Sequence, residues 1–135
     1  MAITKSPGRQ EIVAARKVIA YSDPSSDTGT SEGLIEVPAG AIVVGGYIYV
    51  STAFDSTTSD ALDIGDGADV DRYTATPIDL QATGVTALDV TGYKYTAQDD
   101  IDIQWTAGAT GTATAGQFEV VVEYIVEGRA AFSQG

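Results

Sequence analysis

The feature that most constrains this chain is its alternation. In the segment 118–126, Phe118, Val120, Val122, Tyr124 and Val126 fall on one face, while Glu119 and Glu123 fall on the other beside Val121 and Ile125. In 101–105, Ile101, Ile103 and Trp105 oppose Asp102 and Gln104. In 42–50 the same spacing groups Ile42, Val44, Ile48 and Val50, with Tyr47 and Tyr49 opposite. A period of two turns alternate side chains to opposite sides of a pleated strand, so each segment predicts a strand with one face on a core. The residue types agree. Leu occurs only at positions 34, 62, 80 and 88, whereas β-branched and aromatic residues, which fit a half-buried pleat, recur throughout. Shorter candidate strands lie at 34–37, 61–65, 72–75, 78–81, 86–90 and 92–96. The segment 12–20 fits both spacings: Ile12, Ala15, Arg16 and Ile19 for a helix, Ile12, Ala14, Val18 and Ala20 for a strand. Its four β-branched residues favour the strand.

Turn signals separate these runs: Ser22 to Gly33, Pro38 to Gly40, Asp55 to Asp60, Asp66-Gly67, Thr91-Gly92, and Gly108 to Gly116. Turns spaced by about 8–12 residues suit an antiparallel β-sandwich. Pro77 belongs at a strand start or on an edge, because it has no N–H to give to a ladder. The stretch 107–116 reads as a loop or as a Thr-rich edge of the last hairpin. The expectation is an all-β chain of about eight to ten strands, one domain spanning 1–135, with 1–11 as an extended N-terminal arm. Pro7-Gly8 keeps that arm irregular.

Composition removes whole classes of chemistry. There is no cysteine, hence no disulfide, thiol nucleophile or thiolate metal site. There is no histidine, hence neither the usual neutral-pH general base nor the commonest ligand of zinc and copper. Catalysis would fall to carboxylates, Lys or Tyr, and no enzyme activity, catalytic residue or cofactor is expected. The net charge of −12 is uneven. Residues 1–22 carry Lys5, Arg9, Arg16 and Lys17 against Glu11, whereas residues 23–102 carry fifteen acids against Arg72 and Lys94. An acidic body repels phosphate and anionic lipid, which argues against nucleic-acid and membrane partners. No apolar run approaches the ~20 residues of a membrane span. The opening MAITKSPGRQ lacks a signal-like apolar core, so synthesis in the cytoplasm is the expectation.

Three groups of residues bear on function. Asp63, Asp66, Asp69 and Asp71 surround glycines, and closely spaced carboxylates can hold Ca²⁺. The EF-hand pattern fails, because its closing glutamate would fall at position 74, which is Thr. The plainer reading is a tight Asp66-Gly67 turn with the other aspartates solvated, and no metal. Asp99, Asp100 and Asp102 form a second acidic group, but a glycosidase-like pair needs a set distance across a cleft. The pairs Tyr47/Tyr49 and Tyr93/Tyr95 each fall on one strand face. Tyr is favoured at interfaces, and the face opposite Tyr47 and Tyr49 already supplies a core side, so these two point to a subunit contact. Trp105 belongs to the core. Lys5 and Arg9 are candidates for docking on an acidic partner, or are simply solvated.

The run Ile35-Glu36-Val37-Pro38-Ala39-Gly40-Ala41-Ile42, continuing through Val50, then Thr52-Ala53-Phe54, Asp63-Ile64-Gly65-Asp66 and the closing strand Phe118 to Val126, resembles small jelly-roll-like proteins encoded among the head genes of tailed bacteriophages. The resemblance covers roughly residues 12–127. It implies a jelly-roll-like sandwich acting as a capsid decoration, or cement, protein. Such a protein is commonly a homotrimer that binds the major capsid protein between capsomers on the exterior of the virion. Related sandwiches in tails and fibres keep a carbohydrate-binding or host-recognition module, with or without the help of Ca²⁺, as the alternative.

Overall fold

The computed structural model describes residues 12–127. Eight strands follow in order: β1 (Val13–Ala20), β2 (Thr28–Val37), β3 (Ala41–Thr52), β4 (Asp60–Gly65), β5 (Ile78–Asp79), β6 (Gly84–Ala87), β7 (Asp99–Ala107) and β8 (Gln117–Val126). They form two four-stranded sheets, ordered β1-β8-β3-β6 and β2-β7-β4-β5, with every pairing antiparallel. Strands 1 and 8, 2 and 7, 3 and 6, and 4 and 5 are all neighbours. The chain is thus folded in half into one long ribbon, and the ribbon is wound so that its pairs alternate between sheets. That is the jelly roll.

The core lies between the sheets. One sheet contributes Ile19, Ala41, Val43, Ile48, Val50, Phe118, Val120 and Val122; the other contributes Ile35, Val37, Leu62, Ile64, Ile78, Ile101, Ile103 and Trp105. The period-two reading therefore holds on β7 and β8. Residues 13–20 do form a strand, but its core residue is Ile19, and Ile12, Ala14 and Val18, grouped by strand spacing, are exposed. Phe54 meets the Trp105 ring edge-on, with centroids 5.1 Å apart.

Several expectations are corrected. On β3 the alternation slips: Val43 pairs with Tyr124 and Gly45 with Glu123, leaving Val44 as an extra, bulged residue. A bulge reverses the parity of the strand beyond it. Ala41 and Val43 therefore face the core with Ile48 and Val50, and Ile42 and Val44 do not. Gly46, at φ +140°, absorbs the distortion; a Cβ there would lie 2.2 Å from the Val121 carbonyl oxygen. The Ser22–Gly33 stretch is not all turn, since β2 begins at Thr28. The segment 72–75 is a turn rather than a strand, because Arg72 and Thr74 donate backbone bonds back to Asp69 and Asp71. In 92–96 only Lys94 forms a bridge, to Ile42, so Tyr93 and Tyr95 share no strand face. Pro77 does precede an edge strand, β5. The 108–116 stretch is a loop between sheets, held where the Thr114 N–H and hydroxyl and the Ala115 N–H donate to Asp55.

Candidate functional site

The acidic hairpin after β4 closes on itself. Asp66 and Asp69 exchange backbone bonds across Gly67-Ala68, so the tight turn is centred one residue later than Asp66-Gly67. Asp66 is not solvated but only 1% exposed. Its oxygens are taken by this chain. Arg72 donates from Nε at 2.5 Å and from Nη2 at 3.3 Å, Tyr95 donates its hydroxyl at 3.0 Å, and the Ala68 and Asp69 amides donate at 3.0 Å each. The Tyr73 hydroxyl lies 2.8 Å from that of Tyr95, and the Arg72 guanidinium sits 3.6 Å over the Tyr93 ring. Burial alone would raise the pKa of Asp66, but the bonds from Arg72, Tyr95 and Ala68 outweigh it and leave the value lowered. Burial raises the Tyr95 hydroxyl far above its usual range, so it stays protonated and donates.

The other calcium candidates are not gathered around Asp66. Asp69 reaches Arg72 at 3.8 Å, Asp63 accepts from the Thr74 hydroxyl at 3.4 Å, and Asp71 is exposed. No three acidic side chains converge as metal ligands among the described residues. The cation that Asp66 holds is Arg72. A second buried carboxylate, Asp60, accepts from Trp105 Nε1 at 2.8 Å, from the Ser56 amide at 3.0 Å and from Gln81 at 3.0 Å, tying the core tryptophan to the 54–60 loop. Sequence reasoning misses Arg72, Tyr73 and Asp60. The one signal it offers is Arg72 standing alone in an acidic run.

The two outer sheet faces differ in character. On the β1-β8-β3-β6 sheet, register aligns Val18, Glu119, Tyr49 and Val85 in one row, and Arg16, Val121, Tyr47 and Ala87 in the next. Val18, Tyr49 and Val85 are 39, 40 and 67% exposed. Arg16 pairs with Glu119. Tyr47 and Tyr49 thus do lie outside the core, on a face of mostly apolar character. On the β2-β7-β4-β5 sheet the outer positions include Glu36 opposite Asp100, and Asp63 opposite Gln104, with Asp102 between. Asp102 has its pKa raised by burial, then by Asp100 and Asp99; Asp63 is raised by burial foremost. The Asp99–Asp102 group lies along β7, with Asp99 and Asp100 exposed to solvent. Lys5 and Arg9 lie outside the described residues.

No protein-family model matches the sequence, and no curated protein matches it either. Solved structures do. A chain of the cyanophage Pam1 capsid asymmetric unit superposes with a TM-score of 0.66 at 18% identity, over 93% of this chain and 92% of that one. A chain of the capsid of Ralstonia phage GP4 gives 0.60 at 17% identity, over 95% and 92%. A chain of the acid-stable capsid of Helicobacter pylori bacteriophage KHP30 gives 0.55 at 14% identity, over 85% and 95%. At such identities the likeness establishes the shared sandwich fold.

Proposed function

We propose that this chain is a structural protein of a tailed-phage virion, and specifically a decoration protein that binds the major capsid protein between capsomers on the outside of the head. The carrying observation is the end-to-end likeness to a chain of a phage capsid, 93% of one on 92% of the other. The chemistry supports it. The chain has no histidine or cysteine, and its best-built polar groups, around Asp66 and Asp60, are engaged in holding loops together. In this reading residues 1–135 act as one sandwich unit, with 1–11 as an arm that carries Lys5 and Arg9. The apolar face bearing Tyr47 and Tyr49 is the contact side, and the acidic face looks to solvent, where like charge suppresses unwanted association. Self-association as a trimer is part of the proposal.

The test is direct. Purified protein should scatter light as three times the 14.0 kDa of one chain and co-sediment with capsids of the phage that encodes it. Tyr49→Asp should weaken capsid binding at least about tenfold while leaving the circular dichroism unchanged, as removal of an interface aromatic would. A monomer that never sediments with capsids would overturn the reading. The carbohydrate-binding alternative finds less support, since Tyr95 is buried and Tyr93 lies against Arg72. It predicts a melting temperature that rises with Ca²⁺ or with a glycan.

A further inference from the structure

Two sheets have four edge strands, and among the described residues three of the four are blunted. β5 has two residues and β6 has four. β2 is interrupted by register shifts at Gly29 and Leu34. Short length, bulges and inward-pointing charges are ordinary protections of an edge against pairing with another chain. β1 has only the last of these, in Lys17, which shares the inward face with buried Ile19. It runs eight residues, Val13 to Ala20, in unbroken register with β8, and its other side meets no strand among the described residues. Along that side it is largely exposed.

From this we infer that β1 is a docking edge for an extended segment of another protein, which adds a fifth strand to the β1-β8-β3-β6 sheet and places a carboxylate beside Lys17. The side chains of β1 define the occupant. Lys17 and Ile19 line a groove between β1 and β2 whose other walls include Leu34, Ile103, Asp23 and Glu32, so the inward side chains of an added strand meet an apolar floor with one ammonium on β1 itself and two carboxylates further along the groove. The carboxylates that share this groove are already engaged: Asp23 accepts from the Ala20 amide, and Glu32 accepts from Ser25 and Ser26. Lys17 has no carboxylate within 4.0 Å among the described residues, whereas Arg16 is held by Glu119. A second copy of β1 paired over the full length of the strand is the wrong occupant. A two-fold antiparallel pairing matches positions of equal parity, so the central registers set Arg16 against Arg16 or Lys17 against Lys17, and like charges directly opposite are destabilising. A basic strand fails in the same way. The strand that fits is apolar-alternating, with an acidic residue near its middle, and binds through main-chain bonds. The inference rests on β1 and not on the virion reading.

The probe is an eight-residue peptide, blocked at both ends, that alternates threonine and valine with one central glutamate in place of a valine. Its counterpart carries lysine there. Added at millimolar concentration to the full chain, the glutamate peptide should slow hydrogen exchange of alternate β1 amides at least about fivefold, with β6 amides unchanged, and the lysine peptide should bind at least about threefold more weakly. Lys17→Glu should reverse that order; the two-peptide comparison needs no variant and stands if this one misfolds. Equal effects of the two peptides, equal slowing at β6, or no slowing would each overturn the inference. So would β1 amides that already exchange slowly without peptide, either in dilute protein (the edge covered by a terminal segment of the same chain) or only as protein concentration rises (a second copy).

Discussion

At the scale of single residues, stability should turn on Asp66. It is buried, and its partner Arg72 has only 13% of its side chain exposed. Removing one member of such a pair leaves the other charged and unpartnered. Asp66→Asn should therefore cost about 3 kcal/mol at pH 7 in urea denaturation. The pH dependence has a definite sign. The folded-state pKa of Asp66 lies below its ordinary value, so its contribution is complete above the unfolded pKa of about 3.9 and is lost as pH falls through the folded value. Below pH 4 the gap between parent and variant should close; a constant gap would show that the carboxylate charge is not what matters. Asp102 has the opposite sign. Burial and its acidic neighbours raise its pKa, so its charge opposes folding at neutral pH and that opposition fades as pH drops. Asp102→Asn should stabilise the protein by a few tenths of a kcal/mol at pH 7 and change nothing near pH 2, with destabilisation at pH 7 the contrary result. Neither role is legible in the sequence. Counting acids between 63 and 71 identifies a cluster, but only the turn at 72–75 reveals that Arg72 folds back beneath it.

The strand elements show why period-two reading succeeds in one place and fails in another. On β7 and on β8 against β1 the ladders run without an inserted residue over the segments read, so alternation translates directly into burial. On β3 the one extra residue, Val44, inverts the assignment of Ile42 and Val44 while leaving Ile48, Val50, Tyr47 and Tyr49 correct. The signal is present as Gly45-Gly46, which reads in sequence as an interruption of an apolar run and not as a bulge. Tyr73 and Thr74 look like strand residues for a related reason. They are chosen for burial, and a turn buries Tyr73 and joins it to Tyr95 as well as a strand would. A paired substitution tests the bulge. Gly46→Ala meets both a positive φ and the Val121 carbonyl, and should destabilise by at least about 2 kcal/mol. Gly67→Ala has open space around its new Cβ and should stay within about 0.5 kcal/mol of the parent. Equal effects in chemical denaturation would mean that the bulge does not depend on Gly46.

At the scale of the whole molecule, charge is the property that packing does not explain. The jelly roll needs apolar alternation and turns, and nothing in that requirement calls for a net charge of −12. Among the described residues Arg16, Arg72 and Lys94 are each paired, to Glu119, Asp66 and Glu127, so the uncompensated acids work against the compact state by mutual repulsion. Salt screens that repulsion, with a Debye length of about 30 Å at 0.01 M and about 10 Å at 0.1 M. Exposed pairs such as Lys94–Glu127 lose little in exchange, being worth little at the outset. Raising NaCl from 10 to 200 mM at pH 7 should therefore raise the melting temperature by several degrees. The same step at pH 4.1, near the isoelectric point, should do much less, because the molecule then has little net charge to screen. A melting temperature that falls with salt at pH 7 would mean that specific ion pairs outweigh the overall repulsion, and that the acidic face is held by attractions within the fold instead of being tolerated by it.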